Sequence, residues 1–145
     1  MKHNFKNLKI WMISMEIAAD IHKICLTFPK IEIYGLISQM NRAAVSMPSN
    51  IAEGSSRNTL HFKHFLSISL GSSFELQTQL LIAQQNEYIT IEKLEEIESK
   101  IIEFQKMITV FISKLDKINI LEREEERRKK WDFRRIEARR KKKEE

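Results

Sequence analysis

The sequence predicts an all-α protein, four helices followed by a long charged helical extension. Three observations lead there. Apolar residues recur at steps of three and four along four separate runs, the spacing of one helix face. Only three glycines (Gly35, Gly54, Gly71) and two prolines (Pro29, Pro48) interrupt 145 residues, too few for the turns of a sheet protein. Neither residue type recurs after Gly71, so the last run meets no breaker.

The first helix carries Ile10, Ile13, Ile17, Ile21, Ile24 and Phe28 on one stripe and ends at Pro29, which cannot continue it. Leu8, Trp11, Met12, Met15 and Ala19 make a second apolar stripe beside the first. A helix apolar over so much of its circumference is covered on two sides. Leu8, Trp11, Met12 and Met15 are therefore candidate contacts to another subunit.

The second helix is expected over residues 32–53, with Leu36, Met40, Ala43, Ala44, Met47 and Ile51 facing the core and Gly54 as a left-handed cap. Inside it, Pro48 offers no N–H to the Ala44 carbonyl, which predicts a kink and calls for a nearby Ser or Asn donor. The third helix is capped by Ser56, Asn58 or Thr59 and runs to about Glu87, with Phe62, Phe65, Leu66, Leu76, Leu80 and Ala83 inward. The small residues "SLGSS" at 69–73 predict close approach by a neighbouring helix. The fourth helix starts at Thr90, and its stripe is Ile91, Leu94, Ile97, Ile101, Phe104, Ile108, Phe111, Leu115 and Ile118.

Charge divides the chain. Residues 1–120 carry 13 basic against 12 acidic side chains, whereas residues 121–145 carry 12 against 8. The expected organisation is a nearly neutral bundle, 1–120, and a basic helical extension, 121–145. Acid-before-base pairs Glu124–Arg128, Glu125–Lys129 and Glu126–Lys130 support helix in the extension by about 0.2–0.5 kcal/mol each. Its Trp131 and Phe133 are interleaved with basic residues, an arrangement that suits phosphate contact and base stacking. The bundle does not require this segment, so an engineered tail is the alternative. The longest apolar runs are too short to cross a membrane, no cleavable leader pattern opens the chain, and the single Cys25 forms no internal disulfide. The expectation is a soluble cytoplasmic protein.

The residues carry little catalytic chemistry. His61 and His64 lie three apart, with His3 and His22 elsewhere, and no third ligand at short spacing completes a zinc set. Neither a phosphate-binding glycine loop nor HExxH occurs, and no catalytic residue, metal or cofactor is assigned. Cys25 reads as a small buried hydrophobe. One polar stripe stands out, because Gln39, Arg42, Ser46, Asn50, Glu53 and Arg57 follow helical spacing through the Pro48 segment. The expectation is a mostly buried network of Ser46, Asn50, Glu53 and Glu75 with Arg42 or Arg57 as its cation, since buried charges are paired.

The blocks "FKNLKIW", "FPKIEIYGL", "QMNRAAVSMPSNIAEGSSR" and "FLSISLGSSFELQTQL", in this order, resemble the four-helix-bundle family of 23S rRNA intervening-sequence proteins. The resemblance spans residues 5–117. The family's aromatic, Leu and Trp fall on Phe5, Leu8 and Trp11. Its central signature falls on Arg42, Ser46, Pro48, Asn50, Ile51, Ala52, Glu53 and Gly54, and later positions on Arg57, Gly71, Ser72 and Glu75. Met47 replaces the more usual isoleucine. The resemblance implies an antiparallel up-down-up-down bundle, assembly into a homopentamer and no established enzymatic activity. It is similar in fold to the accessory variability-determinant protein of diversity-generating retroelements, a pentamer that binds nucleic acid and a reverse transcriptase. The implied function is that of a non-catalytic oligomeric scaffold with RNA or a protein as partner. Candidate nucleic-acid contacts are Arg42, Arg57 and Lys63 on the bundle and Arg134, Arg135, Arg139 and Arg140 on the extension. A metal-assisted RNA-processing enzyme using Glu53, Glu75 and a histidine, or a purely structural oligomer, are the competing readings.

Overall fold

The computed structural model describes residues 4–144, all helix, turn and connection without a strand among them. Its helices are α1 (Lys9–Cys25), α2 (Leu36–Ser55), α3 (Thr59–Gln85) and α4 (Ile91–Glu144), with short 3-10 turns at Phe5–Asn7 and Lys30–Glu32. Each helix packs on its chain neighbours and α1 also meets α4, while no Cα of α1 lies within 8 Å of a Cα of α3 among the described residues. Contacts run in opposite senses along neighbouring helices. Lys63 reaches Asp116 while Gln77 reaches Glu98, and Ser69 reaches Met47 while Phe62 lies against Gly54.

The core follows the apolar stripes. Ile17, Ile21, Met40, Met47, Ile51, Leu66, Leu76, Ile101 and Phe104 are fully buried, each side chain contributing about 1.5–3 kcal/mol of hydrophobic stabilisation. Phe62 meets Phe111 edge to face at 5.6 Å, closing the end of the bundle near the α2–α3 turn. The stripe on α4 is shorter than its sequence suggests. Leu94 to Leu115 are buried or half-buried, whereas Ile91 and Ile118 are exposed. Phe65, expected inward, is half-buried beside Arg57.

Several boundaries differ from the expected ones for identifiable reasons. Helix α2 begins at Leu36, not Glu32, because the Glu32 carboxylate accepts the Leu36 N–H (2.9 Å) and so serves as a cap outside the helix. Gly35 permits this, since a Cβ there would stand 2.6 Å from Glu32 Oε2. The other Glu32 oxygen accepts the Tyr88 hydroxyl at 3.0 Å, and the Tyr88 ring lies 5.4 Å from that of Phe28. Helix α3 ends at Gln85, after which Glu87 takes φ 60° and the Tyr88 N–H returns to the Ala83 carbonyl. That is a Schellman-type end with glutamate where glycine is usual. The capping expectations resolve to Asn58, whose Oδ1 accepts the His61 N–H, and Thr90, whose Oγ1 accepts the Lys93 N–H.

Two glycines have other roles than expected. Gly54 lies inside α2 without positive φ, so it is not a left-handed cap. A Cβ there would fall 2.7 Å from Phe65 Cβ and 2.8 Å from Phe62 Cδ2. It is the point where α3 comes closest. Gly71, expected at the close approach, is exposed, and a Cβ there would meet nothing within 4 Å. The serines around it make the approach instead, with Ser69 Oγ donating to the Met47 carbonyl at 2.8 Å.

Helix α4 is continuous for 54 residues. At 1.5 Å per residue it is about 80 Å long, and the part after Leu115 extends roughly 45 Å past the last buried side chain. The expected i,i+4 pairs of Glu124, Glu125 and Glu126 do not close among the described residues. Such exposed pairs gain too little to order two long side chains. No described helix is long and apolar enough to cross a membrane.

Candidate functional site

The polar stripe of α2 meets α3 in a narrow seam. Buried Pro48 lies inside a helix that runs through it, flanked by Ser46 and Asn50. The Asn50 amide donates to the Ser46 carbonyl (2.8 Å) and to Ser46 Oγ (2.9 Å). Ser46 Oγ is 2.8 Å from Ser72 Oγ, which itself donates to the Ile68 carbonyl at 3.0 Å. A hydroxyl has one hydrogen to give, and the arrangement that forms every one of these contacts at once has Asn50 donating to Ser46, Ser46 to Ser72 and Ser72 to the Ile68 carbonyl. The donors near Pro48 thus serve the Ser46 and Met47 carbonyls, not that of Ala44.

This network is smaller than the stripe suggested. Glu53 and Arg57 form their own ion pair, each about half exposed, with the Arg57 guanidinium 5.7 Å above the Phe65 ring. Glu75 is exposed and accepts from Gln79 Nε2 at 3.2 Å. Arg42 is exposed and makes no hydrogen bond or ion pair among the described residues. The charged members therefore lie at the rim of the seam, where water solvates them and burial exacts no pairing. Beside the serines, a cleft of about 110 Å³ is lined by Arg42, Ala43, Ser46, Ser72 and Glu75.

The chemistry available here is recognition and packing. Neither serine is bonded to a base, and the two hydroxyls are engaged with each other. No group of three His, Cys, Asp or Glu is placed to hold a metal among the described residues. His61 and His64 are exposed on α3, and His3 lies outside the described residues. Burial pushes the Cys25 thiol up to about 11, so at neutral pH it is held as the neutral thiol.

The expected basic patch on the bundle is largely neutralised by its own neighbours. Arg57 is paired with Glu53 and Lys63 with Asp116. By contrast, Arg134, Arg135, Arg139 and Arg140 are all exposed on the projecting part of α4, together with Trp131 and Phe133. Arg135 lies 5.1 Å above the Trp131 ring. On α1, Met12 and Met15 are 50% and 44% exposed, while Leu8 and Trp11 are half-buried and Trp11 packs on Phe5 at 5.4 Å. Sequence reading missed a second exposed apolar face, on α3, made by Phe74, Leu81 and Ile82. It also missed a groove of about 470 Å³ between the start of α1 and α4, floored by Leu8, Met107, Val110 and Phe111 and flanked by Lys9, Lys106 and Lys114. The residues concerned are spread over two distant segments, so only the fold assembles them.

Comparison with known proteins agrees with this architecture. A family model described as 23S rRNA-intervening sequence protein matches residues 6–110. A solved structure from Bacteroides thetaiotaomicron, a protein of unknown function from the S23 ribosomal protein family, is similar with a TM-score of 0.64 and 25% identity. The similarity covers 71% of this chain and 97% of that one. No curated protein matches the chain.

Proposed function

The chain belongs to the 23S rRNA-intervening sequence protein family, and from that premise we propose that it is a non-catalytic, oligomeric RNA-binding scaffold of the bacterial cytoplasm. In this reading residues 1–120 are an up-down-up-down bundle that forms a homopentamer, and residues 121–145 are the nucleic-acid arm. Opposed contact order along neighbouring helices supports the bundle topology. Exposed apolar faces on α1 and α3, helices whose Cα atoms stay more than 8 Å apart among the described residues, support a ring. A closed ring joins one face of each copy to a different face of the next.

The observation that carries the RNA reading is the exposed basic helix beyond the bundle, with four arginines and two aromatic side chains free of core contacts. Guanidinium groups neutralise phosphates, and Trp131 and Phe133 offer faces on which unpaired bases stack. Ring symmetry would repeat that arm, so modest affinity per arm becomes high avidity. The test is binding of the full chain to single-stranded rRNA fragments across a salt series. Replacing both Arg134 and Arg140 by Glu should weaken binding more than tenfold and flatten the log–log salt slope by about 1.4. Unchanged affinity would overturn the arm as the RNA contact. No binding by the unmodified chain would leave a structural oligomer, or one that binds a protein.

A further inference from the structure

The groove beside the start of α1 has lysines on its rim and no anion in its own chain to meet them. Lys9, Lys106 and Lys114 form no ion pair among the described residues. The opposite chemistry lies one to four turns further along α4. Ile118 and Leu121 are exposed apolar residues, followed by a run in which Glu122, Glu124, Glu125 and Glu126 are all exposed and unpaired. A single straight helix cannot fold this segment back onto its own groove. A second copy can supply it.

We propose that α4 pairs antiparallel with α4 of a second copy, each groove receiving the partner's segment around Leu121. The register follows from placing the exposed apolar residues Val110 (55%) and Leu121 (60%) opposite each other. Lys106 then faces Glu125, and Glu103 faces Arg128. Further out, Glu96, which also accepts from Lys93 of its own helix at 3.1 Å, faces Arg135. On a 3.6-residue period all of these positions fall within about 100° of one α4 face, and all are exposed. The two-fold axis passes near residues 115–116, so every pair occurs twice, as an isologous contact requires. One like-charged approach, Lys114 with Lys117, lies at the axis, where both stems lie over Ile118 with ammonium groups in water. Three opposite-charge pairs against one like-charge pair, around an apolar centre, select this register and direction.

The pairing does not depend on the number of chains in the ring or on RNA, and Arg134 and Arg140 point away from it on other faces of the helix. The experiment is a charge exchange in the full chain, read by analytical ultracentrifugation at micromolar concentration, with far-UV circular dichroism to check folding. Lys106→Glu and Glu125→Lys each place like charges opposite one another, and each should halve the particle mass of the wild type. The double variant Lys106→Glu/Glu125→Lys restores attraction and should restore the wild-type mass. Single variants that keep the wild-type mass, or a double variant that stays at half, would overturn the pairing. An assembly whose subunit number is not a multiple of five would count against the ring alone.

Discussion

At the scale of single residues, Gly54 decides how closely two helices approach. Its Cα faces Phe65 Cβ and the Phe62 ring and carbonyl, and an added methyl would stand 2.7, 2.8 and 3.3 Å from them. Phe65 Cβ is tied to its backbone and cannot swing aside, so α3 would have to move. Gly54→Ala gains about 1 kcal/mol of helix propensity but incurs overpacking of about 1–3 kcal/mol. The expected net result is lower stability, by about 0–2 kcal/mol, in urea denaturation; a stabilised variant would contradict the contact. Gly71→Ala, which meets no neighbour, is the control and should stabilise. In the sequence Gly54 reads as a helix cap and the Gly71 segment as the close approach, and only the position of Phe62 and Phe65 across the interface shows that the close approach is at Gly54.

At the scale of elements, the helices were legible and their edges were not. Period 3.6 runs and scarce breakers located all four, because burial of an apolar stripe overrides small propensity differences. The start of α2 was missed because its cap is a side chain four residues upstream, shared with a tyrosine 56 positions away. The polar stripe was legible as a stripe, but helical spacing cannot tell which members α3 covers. Ser46 and Asn50 fall where Ser72 meets α2, whereas Arg42, Glu53 and Glu75 fall at the rim. The cap makes a pH prediction. The Tyr88 hydroxyl donates to Glu32, and this bond first, then burial and the carboxylate's charge, raise its pKa above the ordinary phenol value. A raised folded value means that the contribution is fully present below the unfolded pKa of about 10 and is lost as pH rises through the folded one. Tyr88→Phe should therefore cost stability at pH 7 and remove that part of the alkaline decline. It should also remove from the tyrosinate absorbance titration the Tyr88 component, expected above the ordinary phenol range. A Tyr88 component found at the ordinary phenol pH would show that the Glu32 bond does not form.

At the scale of the whole molecule, apolar surface remains uncovered on two helices, which is what the proposed ring would use. Core formation uses the inward stripes of α1 and α3 completely, yet Met12 and Met15 on α1 and Phe74, Leu81 and Ile82 on α3 remain exposed. Two unlike faces on diagonally opposed helices produce head-to-tail contacts, and such contacts close into a ring when the rotation between the faces divides a full turn. Lys100 reinforces the α1–α4 wall between them, donating to Asp20 at 2.7 Å and Glu16 at 2.8 Å, and these bonds hold its ammonium above the ordinary lysine range. Replacing Met12 and Met15 together by Lys puts two charges per copy into the contact without touching the core, because both side chains lie on the solvent side of α1. The expected outcome, read by light scattering, is loss of ring mass to one or two chains, with helicity and cooperative melting retained. Two chains would remain where α4 pairing persists, and adding Lys106→Glu should reduce these to one. A double-Lys variant that keeps the full mass would move the ring contact off α1, leaving the α3 face and the groove as the surfaces that hold copies together.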